Sequence, residues 1–190
     1  MPLHSSCATN PDCQACGLYC HQKPLIEPLR ASQVICVGLS AKLSPHKDAI
    51  PLDPRTNSGN LIAEIEKSIG ATFYKTNLVK CVPLDETDML RYPSKDEIAH
   101  CMSHLSCEIK AVQPKVVLLL GNKVAEGVAK HLHIPTPTFN GYQYQVIEHD
   151  AVKYIAVQHP SYIYIYKRTE IPQYIEAVVG IISREITDAV

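Results

Sequence analysis

The chain predicts an α/β fold: a three-layer α/β/α sandwich around a mostly parallel central sheet, preceded by an irregular cysteine-rich segment. Three observations point there. Short apolar runs at residues 33–38 and 115–120 read as strands buried on both faces, and residues 73–79 and 152–157 read as further strands. Between them the apolar residues fall at helical spacing, so strand and helix alternate from residue 33 onward, as a parallel sheet with helices on both faces requires. The runs end at Gly38, Asn77, Gly121 and Gln158-His159. Ligands in such sheets bind beyond the carboxyl ends of the strands, so these four ends converge on one crevice.

The bulk numbers set the outer bounds. At 190 residues, 46% hydrophobic and 19% charged, the chain reads as a single domain over residues 1–190, globular rather than disordered. A net charge of −1 carries no global basic excess, so any nucleic-acid contact must come from a local patch. No stretch approaches the ~20 apolar residues of a membrane span. The first residues lack a basic region followed by an apolar run, so a secretory leader is not expected. The reading is therefore a cytoplasmic monomer with no membrane partner, nucleoid-associated if the source is bacterial or archaeal. In such a compartment the eight cysteines are read as metal ligands before disulfides.

Taken in order, residues 1–32 carry four cysteines and several prolines without a sustained period, a lead-in wrapped around something that fixes it. The first strand, 33–38, passes into a 19-residue loop, 39–57, of the length that usually serves function. Ser58-Gly59-Asn60 opens a helix with Leu61, Ile62, Ile65 and Ile69 on one face, ended by Gly70. Strand 73–79 runs into Cys81 and a polar loop. Ser94 and Glu97 form a capping box for a helix to about Val112 that carries Cys101 and Cys107. Strand 115–120 ends at Gly121, and Val124, Val128 and Leu132 share a face of the helix 122–132. Residues 142–148 read as one edge strand before the strand 152–157. An aromatic loop with Tyr162, Tyr164, Tyr166, Lys167 and Arg168 leads to a C-terminal helix over 171–186, with Pro172 in its first turn.

Cys13 and Cys16 form a C-x-x-C knuckle, and Cys81 and Cys101 complete a set of four thiols. A soft four-sulfur set suits zinc or an iron–sulfur cluster. Cys20 competes as a ligand, and His100 or His104 beside Cys101 keeps zinc open. Cys36, inside an apolar strand, reads as a core residue.

Six pieces then fall in one order: Cys13/Cys16/Leu18, Val37-Gly38, Asn77/Cys81, Glu97 to Cys101, Leu119-Leu120-Gly121 and His159-Pro160-Ser161. Together, over roughly residues 13–185, they resemble the iron–sulfur, family-4-like branch of the uracil-DNA glycosylase superfamily, as a divergent member. The resemblance implies a 4Fe–4S cluster on Cys13, Cys16, Cys81 and Cys101, with zinc as the alternative. It implies a uracil pocket in which Asn77 reads the base and Gly38, Leu39 and Leu52 line it, and a duplex-probing loop after His159. The activity it implies is monofunctional excision of uracil from DNA, with uracil-containing DNA as partner and free uracil as product. Two departures imply a weakened or altered enzyme. The run Gly38-Leu39-Ser40-Ala41-Lys42 has no carboxylate to handle the attacking water, and Leu52, after Pro51, stands where the family stacks an aromatic ring on uracil.

The chemistry asked of these residues is defined. A carboxamide at Asn77 offers a donor and an acceptor to the O4/N3 edge of uracil. His159, held before a proline, is placed to donate to uracil O2 as charge develops there. Ser40 is the first candidate to orient water, with Asp48, Asp53 or a main-chain carbonyl as rivals. Ser161 either contacts a phosphate or caps a turn. Tyr162 and Tyr164 form either a half-buried strand or an apolar wedge, with Lys167 and Arg168 on phosphates. Lys42, His46 and Lys47 are a second basic group in the long loop. The rivals to an active glycosylase are a non-catalytic uracil- or DNA-binding module and a zinc-bound protein-interaction domain.

Overall fold

The structure, a computed structural model, describes residues 13–187; the lead-in before Cys13 lies outside them. In chain order the elements are β1 (Val34–Ser40), α1 (Asn57–Ile69), β2 (Tyr74–Val79), α2 (Lys95–Val112), β3 (Val116–Leu120), α3 (Asn122–Leu132), β4 (Phe139–Asn140), β5 (Gln143–Tyr144), β6 (Val146–His149), β7 (Val152–Val157), α4 (Pro160–Tyr166) and α5 (Ile171–Thr187). The main sheet runs β2-β1-β3-β7-β6, with the first four strands parallel and β6 antiparallel to β7 at the edge. The four expected parallel strands are all present.

Side chains of β1 alternate between two cores. Val34 and Cys36 pack with Leu61, Ile62 and Ile65 of α1 and with Tyr174, Val178 and Ile182 of α5. Ile35 and Val37 pack with Met102 and Leu105 of α2 and Val124 and Val128 of α3. Helices therefore cover both faces of the sheet, which is the three-layer arrangement the sequence predicts. Each fully buried aliphatic side chain contributes about 1.5–3 kcal/mol relative to exposure.

The departures from the sequence reading are local. Thr56, not Ser58, caps α1: its hydroxyl accepts from the Gly59 N–H at 3.1 Å and donates to the Asp53 carbonyl at 2.7 Å. The expected edge strand 142–148 is divided. Gly141, at φ 55°, turns the chain into the β4–β5 hairpin, and β6 begins only at Val146. Asp150 and Ala151, both at positive φ, then form the two-residue turn into β7. The stretch after His159 is neither strand nor loop but the helix α4. Pro160 sits in its first turn and His159 caps it, so the helix start outweighs the strand preference of alternating Tyr and Ile.

Candidate active site

The carboxyl ends of the parallel strands carry the candidate residues. Gly38 of β1 lies opposite Asn77 of β2 in the parallel register. A Cβ at Gly38 would stand 2.4 Å from Asn77 Oδ1 and 3.5 Å from Leu52 Cδ2. The missing side chain is thus the space in which the Asn77 carboxamide lies, with Leu52 beside it. Asn77 is buried, and its carboxamide takes part in none of the side-chain hydrogen bonds among the described residues. Its main-chain carbonyl accepts from Lys80 Nζ at 2.7 Å. The carboxamide is not among the enclosed polar atoms left without a partner, so its edge stays open to solvent or to a ligand.

Leu52 has φ 51°, an unfavourable conformation for a bulky residue. Gly59 explains how it is held. A Cβ there would meet the Asp53 carbonyl oxygen at 2.0 Å and that of Leu52 at 2.4 Å, so the loop backbone lies directly on the start of α1. Arg55 closes the loop. Its main chain and guanidinium occupy both Asp53 oxygens, and Nη1 reaches Asp48 at 3.2 Å. The Arg55 hydrogen bonds hold the Asp53 carboxyl down to about 2. Both acidic rivals for orienting water are therefore committed to Arg55. Ser40, on the Gly38 face of β1, is half-buried, and its hydroxyl has no hydrogen-bond partner among the described residues. Leu39 points to the other face, against the α2–α3 core, and the structure does not bring it to Asn77.

His159 follows β7 and caps α4. Its Nδ1 accepts the Ser161 main-chain N–H at 3.1 Å and lies 2.6 Å from Ser161 Oγ. A nitrogen that accepts from an N–H carries no proton, so the neutral ring has its hydrogen on Nε2. Burial, and then the nearby charge of Lys42, push the His159 pKa down to about 4. At neutral pH the residue is an uncharged Nε2–H donor. Ser161 is thereby placed as the group that fixes the ring. Gln158 is fixed as well: its carboxamide accepts from Tyr144 Oη at 3.2 Å and donates to the Gly141 carbonyl, and its main-chain carbonyl accepts from Tyr174 Oη at 2.9 Å.

Beside His159 opens a cleft of about 470 Å³, bounded by Gly121, Asn122, the β4–β5 hairpin, Tyr162 and Lys167. α4 turns Ile163 into the core and leaves Tyr162, Ile165 and Tyr166 exposed on one ridge, the two tyrosine rings 5.4 Å apart. The Arg168 guanidinium lies over the Tyr164 ring at 5.1 Å, and Lys167 pairs with Glu170 at 2.8 Å. Lys42, His46 and Lys47 are exposed on the loop after β1.

The four cysteines of the predicted set, Cys13, Cys16, Cys81 and Cys101, line one small cavity with Lys80, His100 and His104. Cys20 is exposed and outside it, Cys36 is buried in the sheet core, and Cys107, which the sequence left unassigned, is disulfide-bonded. Among the described residues no three His, Cys, Asp or Glu side chains converge as a single ion requires. Four thiols around a common space, with no carboxylate among them, are a donor set that fits a multi-iron cluster. Burial pushes the Cys81 thiol up to about 12, with the other three sulfurs adding to it, so loading a metal there releases protons.

The sequence reading missed the partners of Lys80. Its ammonium, on a residue 1% exposed, reaches Thr76 Oγ1 at 2.6 Å, the Asn77 carbonyl at 2.7 Å and Glu108 Oε2 at 2.7 Å; Glu108 is fully buried. A lysine in a buried strand exit is the signal that an acid must stand nearby, but not which one.

The structure is that of an α/β protein whose mostly parallel sheet carries an amide and a neutral imidazole toward the carboxyl ends of its strands. The chain belongs to the uracil-DNA glycosylase superfamily, whose family model matches residues 24–180. It is similar to a type-4 uracil-DNA glycosylase of Archaeoglobus fulgidus, 29% identical over 111 residues, which are 55% of this chain and 54% of that protein. It is also similar to a type-5 uracil-DNA glycosylase of Pyrobaculum aerophilum, 33% identical over 88 residues, 46% of this chain and 36% of that one. The matched stretches thus span about half or less of these relatives. In fold it resembles wild-type SMUG2 of Pedobacter heparinus in its crystal structure, with a TM-score of 0.53 at 13% identity over 80% of this chain and 74% of that one.

Proposed function

We propose that the chain excises uracil from DNA by hydrolysing the N-glycosidic bond of a flipped-out nucleotide. The observation that carries this is the pair of polar groups held at the strand ends: an unpartnered Asn77 carboxamide over Gly38, with its edge open to a ligand, and a neutral His159 locked as an Nε2–H donor. Membership of the superfamily supports the same reading.

Breaking the C1′–N1 bond leaves an oxocarbenium-like sugar and a uracil anion. The Asn77 amide pairs with the O4/N3 edge, and His159 Nε2–H donates to O2 as the anion forms. Water adds its oxygen to C1′ and gives up a proton, leaving an abasic site and free uracil; Ser40, on the Gly38 face, is the group that orients it. Leu52 covers the base with an aliphatic surface. The Tyr162–Ile165–Tyr166 ridge of α4 presses on the base stack, while Lys42, Lys167 and Arg168 face the phosphates. Cys13, Cys16, Cys81 and Cys101 are the residues that would hold a 4Fe–4S cluster, which would tie the lead-in to the exit of β2 and to α2.

The test is incubation with a uracil-containing oligonucleotide, followed by alkali to reveal abasic sites, with Asn77→Ala and His159→Ala alongside. No cleavage at stoichiometric protein overturns the reading. Leu52 in the stacking place, with both loop carboxylates tied to Arg55, favours one rival, a non-catalytic uracil- or DNA-binding module. Titration separates the two: tight uracil-DNA binding without turnover supports the module, and turnover rejects it.

A further inference from the structure

Residue 80 lines the thiol cavity beside Cys81 and Cys101, and its carbonyl accepts from the Leu25 N–H at 2.8 Å. Its ammonium joins Thr76, the Asn77 carbonyl and Glu108, which stands on α2 two turns beyond Cys101. Thr76 Oγ1 also lies 3.0 Å from both Glu108 oxygens, and Tyr74 Oη lies 3.2 Å from Oε1. One residue thus touches the thiol cavity, the helix that supplies a thiol, and the peptide of the candidate base-reading residue.

We propose that Lys80 and Glu108 form a strut that sets the Asn77 peptide by the position of the cysteine set, making Lys80 a positioning residue for base recognition. A charged pair this deeply buried is weak evidence for stability, because an apolar pair of similar volume is often as stable. What the apolar pair lacks is a donor to the Asn77 carbonyl. That bond fixes the peptide from which the carboxamide projects over Gly38, where an error of about 1 Å is enough to cost activity. The strut rests on the excision reading only for its activity readout.

The experiment compares Lys80→Met, Glu108→Leu and the double variant with the wild-type chain. Each single variant leaves a lone buried charge, so its Tm falls well below wild type. The double variant recovers most of that Tm, yet its kcat on uracil-containing DNA stays at least tenfold down with KM within about threefold. Adding Asn77→Ala to the double variant then costs much less than it does in the wild-type chain. A double variant with recovered Tm and a kcat within twofold of wild type overturns the strut. A wild-type chain inert on uracil-containing DNA overturns the excision reading instead. The strut is then judged by amide hydrogen exchange across residues 76–81, which the double variant speeds at least tenfold; unchanged exchange overturns it.

Discussion

On the α2 side of the β2 exit, Thr76, Lys80 and Glu108 are buried and every one of their side chains is hydrogen-bonded. On the crevice side, a residue away, the Asn77 carboxamide and the Ser40 hydroxyl have no partner among the described residues, Leu52 holds a positive φ, and Tyr166 is 70% exposed. The same short segment thus separates a saturated region from an unsaturated one. A saturated network fixes geometry; unpaired polar groups, a strained loop and exposed rings leave a place to bind. Changes in the crevice therefore alter activity more than stability, whereas removing a single member of the network behind it costs both.

Removing the His159 donor is expected to have the largest effect in the crevice. His159→Ala is expected to lower kcat for uracil excision about 10²–10³-fold, or ~3–4 kcal/mol of transition-state stabilisation, as loss of one oxyanion donor does. The same change removes the α4 cap and costs only ~1 kcal/mol of stability. Single-turnover assays and urea unfolding measure the two. Equal losses in both would erase the distinction between the regions.

His159 also predicts a pH dependence. In the unfolded chain it titrates near the ordinary ~6.5, and in the folded chain at about 4. Between these values the unfolded state binds a proton that the native state does not, so stability is full above pH ~6.5 and falls as pH drops toward 4. The loss is roughly 3 kcal/mol at most. It is read as the difference in unfolding free energy between wild type and His159→Gln across that window. The pH profile of excision should show no inflection from this group near 6.5.

How much of this was legible in the sequence follows from the range of the forces involved. The parallel strands were, because burial on both faces forces continuous apolar runs such as Val116–Leu120. Gly38, Asn77 and His159 were, because each sits at a strand end. Helix α4 was missed since Tyr and Ile alternate as in a strand; Pro160 after a capping residue was the usable sign. The pairing of Lys80 with Glu108 spans 28 residues and depends on how α2 lies on the sheet, which no local pattern encodes. Nor does any pattern expose the positive φ of Leu52 or the role of Arg55 in binding both loop carboxylates. Leu39 shows the limit of motif reasoning: adjacent to Gly38 in sequence, it belongs to the opposite face.

Gly59 and Gly38 differ in the same way at smaller scale. Gly59→Ala places a methyl group against main-chain carbonyls that cannot retreat without moving the loop, so a cost of ~2–3 kcal/mol is expected in urea unfolding. Gly38→Ala meets only the end of the Asn77 side chain and a leucine methyl. The carboxamide turns away cheaply, so stability changes by less than ~1 kcal/mol while excision falls about tenfold or more.

The smallest effect lies at the far end of α2. Gln113 ends that helix in the left-handed region at φ 53°, with its N–H on the Ile109 carbonyl at 3.0 Å, and its side chain is exposed. A side chain in this conformation is penalised where glycine is not, and the capping hydrogen bond uses only the backbone. Gln113→Gly should therefore stabilise the fold by ~0.5–1 kcal/mol, the gain from relieved strain exceeding the entropy glycine adds to the unfolded chain. Because α2 transmits to Asn77 through Glu108 and Lys80, whose bonds already fix that geometry, the added stability should leave kcat on uracil-containing DNA within twofold of wild type. A rise in Tm accompanied by a change in kcat would mean that the saturated side still flexes with its helix.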